Sequence, residues 1–341
     1  MRPWGKQVVK KTIAGLAKRI REVTTAILKM TLLYRPVVSV LRRSERLRIR
    51  LRRDIEKRYG FRGYPILSAS EGNSTISQLL ELHKPCAIGK LGSWETGVLT
   101  KFIRQRGRIE KLDESEKMFL YRNAGIFHPN DGVFNKFCLE LLDSLKSIDF
   151  VAVWYTPNES SILKKYTKNA TLAELRSLEP YYHSDPWSRL LENKRVLVLH
   201  PFEKSIRRQY QFRRKIWQDE RYLPDFELDV IRVPMPEVME ATGFKDWFDV
   251  LQYLKGKMSE KEFDVAIVGA GPYSIPLVAH AKSRGKFAIH LGGGTQILFG
   301  IKGKRWDNHE IISKFYNDYW SHPLQEETPP NASIIEGGCY W

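Results

Sequence analysis

A cation, two small residues and a carboxylate directly follow the short apolar run at 86–89. Lys90, Gly92 and Ser93 lead to Glu95, which would stand in the first turn of a following helix. A carboxylate at that place can cap the helix, because it interacts favourably with the helix dipole. It can instead face a crevice as a metal ligand or a general base. Glu95 is therefore a candidate catalytic and metal-binding residue, and Lys90, Gly92 and Ser93 are candidate ligand-binding residues.

Cations follow the apolar run at 195–200, which ends in His200. Lys204 and Arg207 fall in the first turns of the next predicted helix. Cations there oppose the helix dipole, which is a local electrostatic cost. Together with the free N–H groups of a helix start they can form an anion pocket. A structural His-Pro turn with surface charge is the alternative interpretation.

A glycine turn follows the run at 263–268. Gly269, Gly271 and Pro272 lead into a helix, a geometry suited to a phosphate or to tight strand–helix packing. The dinucleotide fingerprint would place glycine or alanine at Ser274 and an acidic residue at the end of the next strand. That strand ends at His290 and lacks a carboxylate there, which disfavours a nicotinamide cofactor.

Glycines also follow the run at 287–291, and a basic stretch with an indole lies shortly beyond them. Glycines allow a ligand to approach the backbone closely, and cations beside an indole can clamp a diphosphate and stack a base or sugar. The candidate residues here for binding a diphosphate-bearing ligand are Gly292, Gly293, Thr295, Lys304, Arg305 and Trp306. Taken together, these strand ends predict a pocket for a polyanionic ligand such as a nucleoside diphosphate.

The elements that must position these residues alternate between strands and helices. The apolar runs are rich in β-branched residues on both faces, as buried parallel strands are. They lie at 86–89, 150–155, 195–200, 228–233, 263–269 and 287–291. Helices are predicted at 95–106, 114–124, 132–147, 203–220, 245–259 and 273–284. This alternation predicts an α/β, Rossmann-like fold, a mostly parallel sheet with helices on both faces, over residues 59–341.

The net charge of +17 is concentrated at the N-terminus. Residues 1–58 hold 18 Lys or Arg and 4 Asp or Glu, a net +14, whereas the rest carry 38 and 35, a net +3. The body therefore gives no support for a uniform nucleic-acid-binding surface. Residues 1–58 predict a basic amphipathic helical segment that binds an anionic membrane surface or a partner protein. A helix that packs on the body or on a second subunit is one alternative, and RNA binding is another.

Three features bear on the compartment. The segment from Val23 to Leu41 is interrupted by Lys29, Arg35 and Pro36, which makes it a poor membrane span. No small-residue cleavage site follows a clean apolar stretch, so a signal peptide is not expected. The three cysteines do not form a disulfide framework or a zinc spacing. We expect a cytoplasmic protein, with peripheral attachment to the inner face of the membrane as an option.

Two of these segments resemble the GT-D-type glycosyltransferase fold and its GT-D-like relatives. Members carry a strand followed by Arg-x-Gly-Asp-Gly-Glu, and the segment Lys90-Leu91-Gly92-Ser93-Trp94-Glu95 is similar. Here Glu95 matches the Glu, and Ser93 stands at the Asp position. Further on, members have a strand ending in Gly-Pro, then a helix and a strand ending in Asp-Ile-Gly-His. The stretches at 265–272 and 288–292 are similar, with His290 in the Asp place.

The resemblance implies transfer of a sugar from a nucleoside-diphosphate donor to a glycan or glycoconjugate, as in surface polysaccharide biosynthesis. It implies a divalent metal, Mn²⁺ or Mg²⁺, held at Glu95, although Ser93 in place of Asp predicts a weak site or cations in its place. Glu95 and His290 are both candidates for the base. Two other functions stay open: a non-catalytic nucleotide- or glycan-binding component of a polysaccharide-assembly system, and another nucleotide-using enzyme.

Overall fold

The computed structural model describes residues 50–109, 112–126, 130–235, 243–330 and 332–341. The chain divides into two compact units, Met1–Ile55 and Glu56–Trp341. Residues 1–49 lie outside the described residues, so the interpretation of the basic N-terminal segment stays a prediction. The second unit contains every candidate site residue.

Seven parallel strands form one sheet in the second unit, in the order β3-β2-β1-β7-β6-β4-β5. This confirms the predicted parallel α/β fold. The strands are β1 (Cys86–Gly89), β2 (Phe150–Val153), β3 (Thr171–Glu174), β4 (Arg195–His200), β5 (Glu227–Arg232), β6 (Val265–Val268) and β7 (Phe287–His290).

The central strands are buried on both faces, which is why their sequences are apolar without alternation. Their register brings the carboxyl ends to the same level. Val268 of β6 pairs with Leu199 of β4 on one side and with His290 of β7 on the other. Ile88 of β1 pairs with Ile289. The loops that follow β1, β7, β6 and β4 therefore all start at one edge of the sheet.

Ten α-helices accompany the strands in the described part of the chain. They are α1 (Ala69–Glu81), α2 (Ser93–Arg104), α3 (Glu114–Ala124), α4 (Asp131–Leu145), α5 (Glu159–Tyr166), α6 (Glu203–Tyr210), α7 (Arg213–Ile216), α8 (Trp247–Ser259), α9 (Ser274–Ser283) and α10 (Gly294–Leu298). The single helix predicted at 203–220 is in fact two short helices, α6 and α7. Within the described ranges, every helix is too short or too polar to cross a bilayer.

The helices cover both faces of the sheet. The apolar sides of α2, α4, α8 and α9 share one core, whereas those of α1, α6 and α10 share the other. The chain thus leaves β1 and β6 towards one face and leaves β4 and β7 towards the opposite face. Where neighbouring strands send their chains to opposite faces, a crevice opens at the carboxyl ends, and ligands of α/β folds bind in such crevices.

Candidate functional site

The loop after β1 places Lys90 and Glu95 at this crevice. Lys90 is half-buried, with Nζ 5.6 Å from the centre of the Trp154 ring, which directly follows β2. Glu95 lies in the first turn of α2 and is only 8% exposed. A Cβ atom on Gly92 would collide with Oε2 of Glu95. Glycine at position 92 is therefore needed for the Glu95 carboxylate to fold back over the start of its own helix.

The loop after β7 reaches the same point. Gly292 has a φ of +62°, a left-handed conformation that favours glycine. A Cβ atom at Gly292 would lie 3.2 Å from Nζ of Lys90 and 3.3 Å from Nε2 of His290. The ammonium and the imidazole thus meet around one glycine, although they come from different strands. His290 is 6% exposed, and its buried Nδ1 has no hydrogen-bond partner in the described structure.

The ends of β6 and β4 extend the site. A Cβ atom on Gly269 would lie 2.7 Å from Cδ2 of His200 and 2.9 Å from Oγ1 of Thr295. Nδ1 of His200 accepts a hydrogen bond from the Phe202 N–H at 3.0 Å. The neutral ring therefore carries its proton on Nε2. Thr295 is fully buried, and its hydroxyl has no partner among the described residues.

The basic stretch after α10 closes the far side of the glycine loop. A Cβ atom on Gly293 would lie 3.3 Å from Cζ2 of Trp306 and 3.9 Å from Nη1 of Arg305. Trp306 is nearly buried, whereas Arg305 is exposed and stacks over the Tyr340 ring with 4.6 Å to its centre. The Arg305 N–H donates to the Cys339 carbonyl at 2.9 Å. The C-terminal residues therefore hold Arg305 and Trp306 beside Gly293.

Charges interact across the site. Burial lowers the pKa of Lys90. The negative charges of Glu179 and Glu95 oppose that shift, whereas the positive charge of Arg305 adds to it. Lys90 thus lies within electrostatic range of two carboxylates and one further cation, and these four groups form the charged cluster of the site. Glu179 lies between two 3₁₀ turns, Leu175–Leu178 and Pro180–Tyr182, and was not predicted from the sequence. Burial raises the pKa of Glu179, and the Lys90 ammonium opposes that shift.

Both imidazoles of the site are neutral at pH 7. Burial lowers the pKa of His200 to about 3. Burial and the neighbouring Lys90 charge hold the pKa of His290 well below its usual range. A base whose proton affinity is strongly depressed accepts a proton poorly. His290 is therefore poorly suited as a base, which leaves Glu95 as the candidate for that role.

Some candidate residues point away from this cluster. The Lys204 ammonium lies 2.6 Å from a carboxylate oxygen of Glu326, and the Arg207 guanidinium lies 2.8 Å from Asp229. Asp229 lies midway along the outer strand β5, where it pairs with Leu197 of β4, and so is not at the carboxyl ends of the strands. The other four candidates make no contact with the cluster that the structure records: Ser93, Gly271 and Lys304 are exposed, and Pro272 is buried at the start of the turn before α9.

A carboxylate of the protein itself occupies the start of α6. Glu327 is 1% exposed, and its carboxylate accepts from the Lys204 N–H at 2.7 Å and from the Ser205 N–H at 3.0 Å. The hydroxyl of Ser205 donates to the same carboxylate at 2.5 Å. The backbone N–H groups at the start of α6 are therefore bound by an internal carboxylate from the C-terminal part of the chain.

The start of α5 is arranged similarly and has a consequence for stability. Glu56 accepts from the N–H groups of Asn158 and Ser160, and fully buried Glu159 accepts from those of Trp154 and Thr156. Burial raises the pKa of Glu159 from 4.5 to about 7, and the Glu56 charge adds to that shift.

We expect the free energy of unfolding to fall as the pH rises from about 4.5 to about 7, because ionising buried Glu159 costs on the order of 3 kcal/mol. Because the pKa of Glu159 is higher in the folded than in the unfolded protein, its stabilising contribution is fully present below the unfolded-state pKa. That contribution is lost as the pH rises through the folded-state pKa. Urea unfolding over that pH range should show a shallower decline in Glu159→Gln than in the wild type. Parallel curves would rule out the assignment.

A separate groove of about 630 Å³ lies along another face of α2. It runs between α2 and α3, and its walls include Trp94, Val98, Leu112 and Leu120. On average, its α2 residues point about 130° away from Glu95 around the helix, at about 100° per residue. Of the candidate site residues, Ser93 alone lines it, so the groove is distinct from the charged cluster.

Comparisons with solved structures bear on the fold. Two structures are similar to the chain. Both are of the domain of unknown function 1792. One of them, a selenomethionine-substituted structure, has 12% sequence identity to this chain and a TM-score of 0.43. The matched region covers 81% of this chain and 96% of that chain. The other, whose domain is described as having a distinct glycosyltransferase fold, is 13% identical with a TM-score of 0.40 and covers 77% and 92%.

This is the fold group that the motifs after β1 and β7 resemble. At such identities and TM-scores, the similarity does not assign an activity. No protein-family model and no curated protein matches the sequence.

Proposed function

We propose that the chain is a glycosyltransferase that moves a sugar from a nucleoside-diphosphate donor to a glycan or glycoconjugate acceptor. The observation that supports this most is the meeting of Lys90, Glu95, His290 and Arg305 at the carboxyl ends of the adjacent strands β1 and β7. Two cations suit a diphosphate, and a carboxylate within electrostatic range of Lys90 suits the proton transfer that glycosyl transfer requires. Surface polysaccharide biosynthesis is the pathway we propose for it.

The cluster can divide the reaction between its members. As the bond between the anomeric carbon and the β-phosphate oxygen breaks, its electron pair stays on the leaving diphosphate, where positive charge stabilises it. The acceptor hydroxyl oxygen forms the new bond to the anomeric carbon, and its proton passes to Glu95. Direct displacement of this kind inverts the anomeric centre.

Ligand-induced stabilisation tests the proposal. A nucleoside diphosphate that binds only the folded protein should raise the melting temperature, by an amount that grows with ligand concentration. UDP, GDP, ADP, CDP and dTDP, each with and without Mn²⁺, would cover the common donors. The matching nucleotide sugars should then be hydrolysed slowly or transferred. An unchanged melting temperature with every nucleotide would contradict the proposal.

A second candidate is a non-catalytic component of the same kind of assembly system. Ser93 and His290 stand where the resembling motifs have acidic residues, which is what a site that binds without catalysing would display. Binding of a nucleotide sugar without any turnover, by hydrolysis or transfer, would favour this candidate. Detectable donor hydrolysis by the purified protein would exclude it.

We also propose that residues 1–58 attach the protein to an anionic membrane surface or to a partner protein. The net charge of +14 in this segment supports the idea. The full chain should sediment with liposomes rich in phosphatidylserine, and raised salt should weaken that binding. A variant lacking residues 1–55, which keeps Glu56 and its hydrogen bonds to the start of α5, should stay in the supernatant. Equal sedimentation of both proteins would contradict an electrostatic anchor.

A further inference from the structure

The metal implied by the fold resemblance does not fit the residues present. A divalent cation at a nucleotide-sugar site prefers carboxylate oxygens as ligands. In the segment that follows β1, the motif residues provide one carboxylate, that of Glu95, and a serine hydroxyl at position 93. At the end of β7 it offers an imidazole, His290. Among the described residues, no group of three or more His, Cys, Asp and Glu side chains is placed to hold a metal.

An ammonium group lies beside the residues that the resemblance assigns to the metal site. Lys90 Nζ and His290 Nε2 both lie close to the Gly292 backbone, at 3.2 and 3.3 Å from the position that a Cβ atom would take. The ammonium also interacts electrostatically with two carboxylates, Glu95 and Glu179. Attracting two carboxylates in a crevice is the role that a divalent cation has in such sites. A divalent metal ion placed between the same carboxylates would be repelled by the Lys90 ammonium at close range.

Other contacts fix the ammonium in this place. The Trp154 ring lies on one side of it, with 5.6 Å from Nζ to the ring centre, a distance at which a cation is attracted to the ring face. The four-carbon stem of Lys90 passes Gly292, where Cε is 3.1 Å from the Cβ position. A Cβ atom at position 292 would therefore crowd the end of the Lys90 side chain and would also strain a left-handed backbone.

Building on the proposed glycosyltransferase function, we infer that this site works without a divalent metal, with the Lys90 ammonium binding the donor diphosphate and Arg305 as a second cation. The anomeric C–O bond breaks with its electron pair on the diphosphate, which leaves with one more negative charge. The positive charges of Lys90 and Arg305, which are already in place, stabilise this additional negative charge. The acceptor proton passes to Glu95, so the step balances without a further reactant.

The test is calorimetric titration of the full chain with the nucleoside diphosphate that stabilises it most, once in excess EDTA and once in Mn²⁺. The dissociation constant should be the same in both. Lys90→Met, which removes the charge and keeps the length, should weaken binding by about tenfold to a hundredfold. Lys90→Arg should bind within a few-fold of the wild type. Lys165→Met, which removes an exposed lysine in the last turn of α5, is the matched control.

A direct metal measurement accompanies the titration and does not depend on nucleotide binding. Electron paramagnetic resonance of free Mn²⁺ should show no saturable loss of signal when the wild-type protein is added. Nucleotide binding that needs Mn²⁺, or saturable Mn²⁺ binding that Glu95→Gln removes, would overturn the inference and leave the transferase proposal standing. The absence of nucleotide binding under both conditions would end the transferase proposal itself. If Lys90→Met fails to fold, the EDTA comparison and the Mn²⁺ measurement on the wild type still decide.

Discussion

Glu95→Gln should lower the rate of sugar transfer by about 10²- to 10⁴-fold, the range that a general base contributes. Glutamine has nearly the shape of glutamate and fits beside Gly92, but its amide does not accept the acceptor's proton. The buried setting of Glu95 at the start of α2 should tolerate this isosteric change. Initial transfer rates of the wild type and the variant would test the loss of activity, and their melting temperatures would test whether the fold is kept.

The matched control for this variant is Glu260→Gln. Glu260 follows the last turn of α8 and pairs with Lys257 on the surface, so its replacement should leave the transfer rate unchanged. A Glu95→Gln protein that transfers sugar at the wild-type rate would remove Glu95 from the chemistry. Loss of rate together with loss of nucleotide binding would point to a binding role instead.

Glu327→Ala should lower the free energy of unfolding by about 3 kcal/mol, because it leaves buried donors without an acceptor. Its carboxylate accepts from two backbone N–H groups and one hydroxyl at the start of α6. The carboxylate is also close to the positive end of that helix, so the dipole adds to the loss. Urea unfolding of the wild type and the variant would measure the difference.

The neighbouring residue provides a control for the Glu327 experiment. Glu326 makes an exposed ion pair with Lys204, and exposed pairs contribute only about 0–1 kcal/mol. Glu326→Ala should therefore change stability little. Equal losses in the two variants would show that the buried cap has no special role.

The strands could be predicted because their burial leaves a direct mark on the sequence. Runs such as Val265–Val268 are apolar throughout, since both faces are covered by helices. Strand β3 was missed because it lies at the edge of the sheet and its end residues, Thr171 and Glu174, are polar and only half-buried. Helix α1 was missed although Ser68 and Glu71 form a capping box, because serine, glycine and asparagine dilute its apolar face.

The strand-end motifs indicated which residues to consider, but not how their charges are balanced. Lys90 and Glu95 are close in sequence, so their meeting could be expected from the local pattern. Glu179 joins them from a segment of 3₁₀ turns that has no recognisable pattern. Likewise, the sequence alone presents Lys204 and Arg207 as unpaired cations suited to an anion. Their carboxylate partners, Glu326 and Asp229, are distant in sequence, so the local pattern does not reveal the two ion pairs.

A crystal structure of the protein with a bound nucleoside diphosphate would test the central claim most directly. We predict that the diphosphate lies at the carboxyl ends of β1 and β7, with phosphate oxygens contacting the Lys90 ammonium and the Arg305 guanidinium. A diphosphate bound elsewhere, for example in the groove along α2, with Lys90 still facing only Glu95 and Glu179, would contradict the account.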